Sequence, residues 1–417
     1  MKDLKRAVVT GLGAVSPIGN SIDEFWNGLL NGKSGAAPVT KLDASQFKTR
    51  FACEVKDFDP SLYLDRKEAR TMDLYSQYAI GASTQAFSDA CLEGVERDPY
   101  RCAVIFASGV GGLLTLQEEI VKYAKSGFKP RFSPFMIPKM IANIAAGQIS
   151  IRYDFRGANY GVVSACASSS HALIDAFNLI RLGKADVVIA GGSEASINAT
   201  GLGGFSALRA ISERNDDPRT ASRPFDKDRD GFVLGEGSAA LILESLEHAQ
   251  ARNARIYAEL IGGGMTADAY HNTLPQPEGR SVYQSMAFAL EDAGAQPEEI
   301  NYINLHATST PAGDVPEMLA VQKLFDSTLD RLHVSGTKSM TGHLLGAAGA
   351  LEAAATVLSI QHDIIPPTIN TENVDPEIDE RVNLTLGKPV EKKVNMAMSN
   401  TFGFGGQNAS VVFRKFG

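Results

Sequence analysis

Two distant stretches of the chain open in the same way. Residues 6–13 (RAVVTGLG) run from a buried apolar strand into glycines, and residues 256–264 (IYAELIGGG) repeat that order. Residues 102–107 (CAVIFA), ended by Gly109, Gly111 and Gly112, and residues 185–192 (ADVVIAGG) are further apolar runs next to glycine. A strand that alternates polar and apolar positions can leave one face in water. The run 185–192 does not alternate, so it suits a parallel sheet covered on both faces. Helical patterns lie between the apolar runs at 69–91, 142–151, 172–180, 282–293, 316–325 and 345–360, with further strands at 239–243, 302–305, 395–398 and 409–413. Residue identity between the halves is negligible, but the order of elements is similar. The pattern predicts a duplicated α/β unit with a seam near residue 250, an N-terminal half 1–250 and a C-terminal half 251–417.

A chain of 417 residues, 44% hydrophobic and 21% charged, is large enough to build two such cores. A net charge of −8 argues against a nucleic-acid binder. The start, Met1 to Arg6, lacks the apolar stretch of a signal peptide, and no apolar run approaches the roughly 18 residues of a membrane span. Four cysteines (Cys53, Cys91, Cys102, Cys166) are too few for a disulfide scaffold and share no metal-type spacing, which favours a reducing compartment, the cytoplasm.

Two motif-like stretches fail on spacing. Residues 11–16 (GLGAVS) half-match a dinucleotide fingerprint, but Ser16 replaces the third glycine, Pro17 interrupts, and the helix waits for the capping box at 21–24 (SIDE). Residues 226–231 (DKDRDG) imitate a calcium loop, yet Gly237 stands where the bidentate glutamate belongs.

Residues 161–171 (GVVSACASSSH) put a single thiol on a sharp turn from a strand into a helix. Unpaired N–H groups at a helix start favour a thiolate, so Cys166 is a candidate nucleophile, although this segment taken alone better fits a small buried apolar residue. His306 follows the strand at 302–305 and precedes a hydroxyl-rich loop (ATSTPAGD). His343 sits beside glycines (KSMTGHLLGAAG) ahead of a tightly packable helix. His171, His248, His271, His333 and His362 read as packed or surface residues. Residues 400–408 (NTFGFGGQN) form a glycine turn with accessible backbone N–H groups. One thiol and two histidines fall short of a zinc set at usual spacings, so a thiol acyl-transfer site explains more of the pattern. The basic and aromatic loop 125–135 (KSGFKPRFSPF) is a docking surface candidate for an acidic partner.

Taken together, SACAS at 164–168, HATSTPAGD at 306–314, KSMTGH at 338–343 and NTFGFGG at 400–406 resemble the β-ketoacyl-[acyl-carrier-protein] synthases, and SRPFDKDRDGFV at 222–233 matches the same family. The resemblance spans the whole chain and is strongest to the elongating type II members of bacterial fatty-acid synthesis. It implies the thiolase-like fold, with duplicated halves in a five-layered αβαβα core, in a homodimer. It also implies a decarboxylative condensation of an acyl-enzyme with malonyl-[acyl-carrier-protein] that needs no metal or other cofactor, the substrates riding on phosphopantetheine.

Carried over by motif, Cys166 takes the acyl chain, and His306 and His343 stabilise the enolate. The N–H groups of Cys166 and Phe404 form the oxyanion hole, the Phe404 ring gates the acyl pocket beside Phe402 and Val110, and Thr308 and Thr310 hold the pantetheine. Lys338 pairs with Glu352 and, with Asp314 and Glu317, organises the polar network behind the histidines. The acidic carrier protein is expected on Lys67, Arg70, Lys129, Arg131 and Arg209. Thr71 stands where a basic residue is frequent, Ala307 replaces a usual glycine and Gln407 a frequent threonine. Thiolases use a second cysteine near the C-terminus, absent here, and type III synthases an asparagine in the place of His343. The type I elongating synthases are the nearest rival, and a non-catalytic partner like the chain-length factors lacks the cysteine that this chain has.

Overall fold

The structure is a computed structural model, described over residues 4–417; the expectation drawn from the extreme N-terminus falls partly on residues 1–3, which lie outside it. Eleven strands form its principal sheet: β1 (Ala7–Val15), β2 (Cys102–Ala107), β3 (Asn159–Tyr160), β4 (Val187–Glu194), β5 (Gly237–Ser245), β6 (Ala258–Ala267), β7 (Tyr302–Asn304), β8 (His333–Ser335), β9 (Asn383–Leu384), β10 (Met396–Gly403) and β11 (Gln407–Arg414). Outward from the centre, the first half runs β1-β5-β4-β2-β3 and the second β6-β11-β10-β7-β8, with β9 added at the far edge. Strand directions match too. The two pairings nearest the centre are antiparallel and the outer two parallel in each half. The sheets join where Ala7, Val8 and Val9 pair with Leu260, Glu259 and Ala258.

The helices that matter here are α1 (Leu74–Asp89), α2 (Leu113–Lys125), α3 (Ser168–Arg181), α4 (Arg280–Ala293), α5 (Asp314–Leu324) and α6 (Ala348–His362). Helices α3 and α6 pack on each other and on strands of both halves, making the middle layer. Helix α1 covers the outer face of the first half and α4 that of the second, which completes five layers. Alternate residues of one strand feed different cores. In β2, Ala103, Ile105 and Ala107 join the central cluster with Leu173 and Leu351, while Val104 and Phe106 face α1 with Ile80 and Ala86. In β11, Val411 and Phe413 point to the centre and Val412 to the outer cluster with Met286. The unbroken apolar runs follow from these two buried faces, although the sheet is mixed where a parallel one was expected.

The glycines of the opening motif do not end their strands; β1 and β6 run straight through them. A Cβ on Gly11 or Gly13 would stand 2.2 or 2.0 Å from the carbonyl oxygens of Ala86 and Ala82 in α1. On Gly262 or Gly264 it would stand 2.4 or 2.0 Å from those of Ala289 and Ser285 in α4. Each glycine pair lets an outer helix lie directly on its strand, at corresponding places in the two halves.

Candidate active site

Helix α3 begins two residues after the thiol, with Ala167 at its cap, and no regular strand leads into the turn, since β3 ends at Tyr160. Ala165 holds a left-handed φ of 49°. Ser168 Oγ staples the turn, accepting from Ser164 N at 2.8 Å and donating to the Ala165 carbonyl at 2.6 Å. This geometry leaves Cys166 Sγ buried and 3.0 Å from His343 Nε2.

His343 follows the short helix Lys338–Thr341 and Gly342, whose φ is 67° and whose Cβ, if present, would meet Cys53 Sγ at 2.7 Å. The main chain of His343 is held by the Val233 carbonyl, to which its N–H donates at 2.8 Å, and by the Gly235 N–H, which donates to its carbonyl at 2.9 Å. His306 lies just beyond β7; its N–H and that of Ala307 donate to the two Glu317 oxygens, each at 2.8 Å. The two imidazoles meet edge to face, with centroids 5.3 Å apart at 87°. Lys338 Nζ donates to His306 Nδ1 at 3.3 Å and pairs with Glu352. An ammonium has only hydrogens to give, so His306 carries its own proton on Nε2, the atom left for a ligand.

Burial, reinforced by the Lys338 charge, holds both imidazoles well below the ordinary histidine range, so both are neutral. Burial also pushes the Cys166 thiol up to about 11, against the Phe404 N–H, Lys338 and its own N–H, which pull it down. The resting group is therefore a thiol beside a neutral imidazole. The thiolate expected from the helix start is outweighed by loss of water around the sulfur. Burial raises Glu317 and Glu352 to about 7, and Asp314 to about 6. Asp314 accepts from Phe225 N at 2.9 Å and Ser309 N at 3.1 Å and faces Arg229 at 3.6 Å. Arg229 also binds Asp375 at 2.7 Å, so the calcium-like run 226–231 serves an ion network.

The C-terminal glycine turn is shorter than its sequence suggested. Thr401 to Gly403 and Gln407 to Asn408 belong to β10 and β11, leaving Phe404, Gly405 (φ 84°) and Gly406 (φ 70°) as the hairpin loop. A cavity of about 520 Å³ collects Cys166, His306, His343, Thr308, Thr310, Glu317, Val110, Phe402 and Phe404. The hydroxyls of Thr308 and Thr310 are 3.1 Å apart. Lys338, Glu352 and Asp314 stand behind this wall. Among the expected docking residues, Arg209 is exposed and lines the cavity; Lys67, Arg70, Lys129 and Arg131 are exposed elsewhere.

Glu194 escaped the sequence reading. Fully buried at the end of β4, it accepts from Gly109 N at 2.8 Å, Gly346 N at 3.1 Å and Val110 N at 3.3 Å, fixing the loop that presents Val110. A carboxylate closing an otherwise apolar strand was the available signal. Ala307 holds φ at 39°, which gives a backbone reason for a glycine at that position.

Comparison with known proteins agrees with this architecture. Residues 5–249 match the family model described as Beta-ketoacyl synthase, N-terminal domain, and residues 257–372 the C-terminal domain of the same family. The 3-oxoacyl-[acyl-carrier-protein] synthase 2 of Synechocystis sp. is 50% identical over 99% of this chain and 98% of its own length. That of Coxiella burnetii is 48% identical over 99% of each. A beta-ketoacyl synthase structure from Burkholderia phymatum superposes with a TM-score of 0.92 at 35% identity, covering 99% of this chain and 100% of that one. A ketosynthase in complex with a type II PKS acyl-carrier protein also gives 0.92, at 32% identity and the same coverage. With the thiol, the two histidines and the five-layered duplicated core in place, these matches make the chain a member of the β-ketoacyl synthase family, with the thiolase-like fold.

Proposed function

We propose that this chain elongates fatty acids by condensing an acyl group with malonyl-[acyl-carrier-protein], releasing CO₂ and a 3-oxoacyl-[acyl-carrier-protein]. The observation that carries the reading is one thiol and two neutral imidazoles facing a single cavity, with Cys166 Sγ 3.0 Å from His343 Nε2.

In the first half-reaction the Cys166 sulfur attacks the acyl thioester carbonyl, its proton leaves with the carrier thiol, and the N–H groups of Cys166 and Phe404 hold the tetrahedral oxyanion. In the second, malonyl carrier protein enters with its pantetheine along Thr308 and Thr310. The N–H groups of His306 and His343 bind the thioester oxygen, the carboxylate departs as CO₂, and the electron pair becomes an enolate. That enolate attacks the acyl carbonyl, the carbon–carbon bond forms, and Cys166 leaves as thiolate. Neutral imidazoles suit this work, because each donates to developing negative charge without releasing a proton. Lys338, held by Glu352, fixes the His306 tautomer, and Asp314 and Glu317 brace the loop. Phe402, Phe404 and Val110 border the acyl path. No metal or cofactor enters this chemistry.

The substrate carrier is an acidic protein, docked on Arg209 and on Lys67, Arg70, Lys129 and Arg131. The halves 1–250 and 251–417, a homodimer and a cytoplasmic location complete the proposal; among the described residues no helix is long and apolar enough to cross a membrane. Incubation with acyl and malonyl carrier proteins tests it. CO₂ and a 3-oxoacyl product two carbons longer are expected, and their absence with folded protein overturns the reading.

A further inference from the structure

We propose that Glu194 is a positioning residue that sets two apolar walls of the acyl path, Val110 from the first half and Leu345 from the second, and so determines how well long acyl groups reach Cys166. The inference deepens the acyl-transfer reading above and rests on it. Glu194 closes β4 with its side chain wholly removed from water, and both of its carboxylate oxygens are met by uncharged donors. Oε2 bridges the halves, accepting from Gly109 N at 2.8 Å and from Gly346 N at 3.1 Å. Oε1 accepts from Val110 N, Ser108 Oγ and Ser196 Oγ, each at 3.3 Å. Gly109 and Gly346 are the chain neighbours of Val110 and Leu345. Both of those side chains line the cavity with Cys166.

The two loops meet through their backbones, which is why one carboxylate can hold both. A Cβ on Gly346 would stand 2.2 Å from Gly109 N, and one on Gly109 would stand 2.7 Å from Glu194 Oε2. Leu345 is held at a φ of 50°, in the left-handed region that a leucine enters only where its surroundings impose it. The bond to the next N–H, that of Gly346, is part of this restraint. Backbone N–H groups can only donate, and here they stand on both oxygens, so the site calls for an acceptor at each. Burial raises the carboxyl to about 7, against the Gly109, Gly346 and Val110 N–H groups and the Ser108 hydroxyl, which pull it down. His343 does not depend on this clamp, because its main chain is held by Val233 and Gly235.

The test compares Glu194→Gln and Glu194→Asp with the wild-type protein at pH 8. It reads single-turnover acylation of Cys166 by acetyl- and octanoyl-[acyl-carrier-protein], CO₂ release from malonyl-[acyl-carrier-protein], and melting temperature. Glutamine must turn its NH₂ toward the Val110 N–H or toward those of Gly109 and Gly346, and aspartate is one methylene short of bridging both loops. Each variant therefore frees at least one wall. An acetyl group ends beside the sulfur, whereas an octanoyl chain has to run along the walls. Octanoyl transfer should fall about tenfold in both variants, while acetyl transfer and CO₂ release stay within about twofold of wild type. An unchanged ratio of octanoyl to acetyl transfer overturns the inference, whether both hold the wild-type rate or both fall with the melting temperature. Failure of both variants to fold overturns it too, since the carboxylate would then serve stability alone. If the wild-type chain takes no acyl group on Cys166 from either carrier, the acyl-transfer reading itself fails.

Discussion

Cys166 Sγ and His343 Nε2 stand 3.0 Å apart although 177 positions separate them in the chain. The contact forms because α3 and α6 share the middle layer, so the turn before one and the loop before the other converge from opposite halves. Its chemistry is that of a buried thiol, raised to about 11, beside an imidazole that stays neutral. Alkylation of Cys166 by iodoacetamide should therefore keep accelerating as pH rises past 9, since the reactive thiolate is populated only on approach to the raised value. A plateau reached near pH 7 would mean a preformed thiolate–imidazolium pair. Cys166→Ala should abolish acyl-enzyme formation; an acyl group found by mass spectrometry on Cys53, Cys91 or Cys102 would displace the nucleophile assignment.

The histidines give a second expectation. A histidine whose folded value is depressed stays neutral until the pH falls through that lower value, and the working form is lost only there. His306 and His343 should thus keep the ring ¹³C shifts of neutral imidazole as pH is lowered through about 6.5, the ordinary histidine value. Titration of either ring near that value would show that burial and Lys338 do not set its charge. Exchanging either for alanine should lower condensation by about 3 kcal/mol in barrier, read as kcat/KM.

Lys338 and Glu352 form an ion pair with both side chains almost wholly removed from water. Removing one partner leaves the other charge buried and unpaired, so Glu352→Leu should destabilise the fold by about 3–5 kcal/mol. The double variant Lys338→Met with Glu352→Leu should recover most of that stability while condensation stays impaired, because the ammonium that orients His306 is gone. Urea unfolding and product formation on the same samples separate the two effects. Recovery of activity in the double variant would deny Lys338 its role.

The reach of the sequence differs from element to element. The duplicated order of strands and helices was visible because both faces of each sheet are buried, which leaves long apolar runs. The glycines beside them were read as turns for a physical reason: sequence cannot tell a glycine that bends a strand from one that makes room for a helix. Gly13 and Gly264 are the second kind, seen only when α1 and α4 lie on them. Cys166, His306 and His343 stood out through their motifs. His171 did not, since its partner Ser164 lies in the irregular turn before α3, and a lone histidine carries no sign of such a contact. Glu194 was hidden likewise, because its donors come from loops around 109 and 346.

Ala307 offers a test of local strain. At a φ of 39° its methyl group is held in the left-handed region, and its N–H is committed to Glu317 at 2.8 Å, so the backbone cannot relax away. A left-handed alanine costs about 1–2 kcal/mol, while glycine loses about 0.5–1 kcal/mol more chain entropy on folding. Ala307→Gly should accordingly stabilise the protein by about 0.5–1 kcal/mol in urea unfolding, with little change in condensation. A destabilised variant would mean that the methyl group, packed beside Gly336, contributes more by contact than it loses by strain.

Arg209 is the one expected docking residue that is both exposed and part of the cavity lining, whereas Lys67, Arg70, Lys129 and Arg131 stand away from it. If an acidic carrier protein delivers its substrate there, Arg209→Glu places like charge at the entrance and should raise KM for acyl carrier protein at low salt. Steering of this kind acts over about a Debye length, ~10 Å at 0.1 M salt, so the difference from wild type should shrink as salt is added. Turnover of a small acyl thioester without the carrier should be unaffected, which separates docking from damage to the cavity. Equal loss with carrier-borne and small thioesters, insensitive to salt, would instead assign Arg209 to the wall of the site and move the docking surface toward the other four cations.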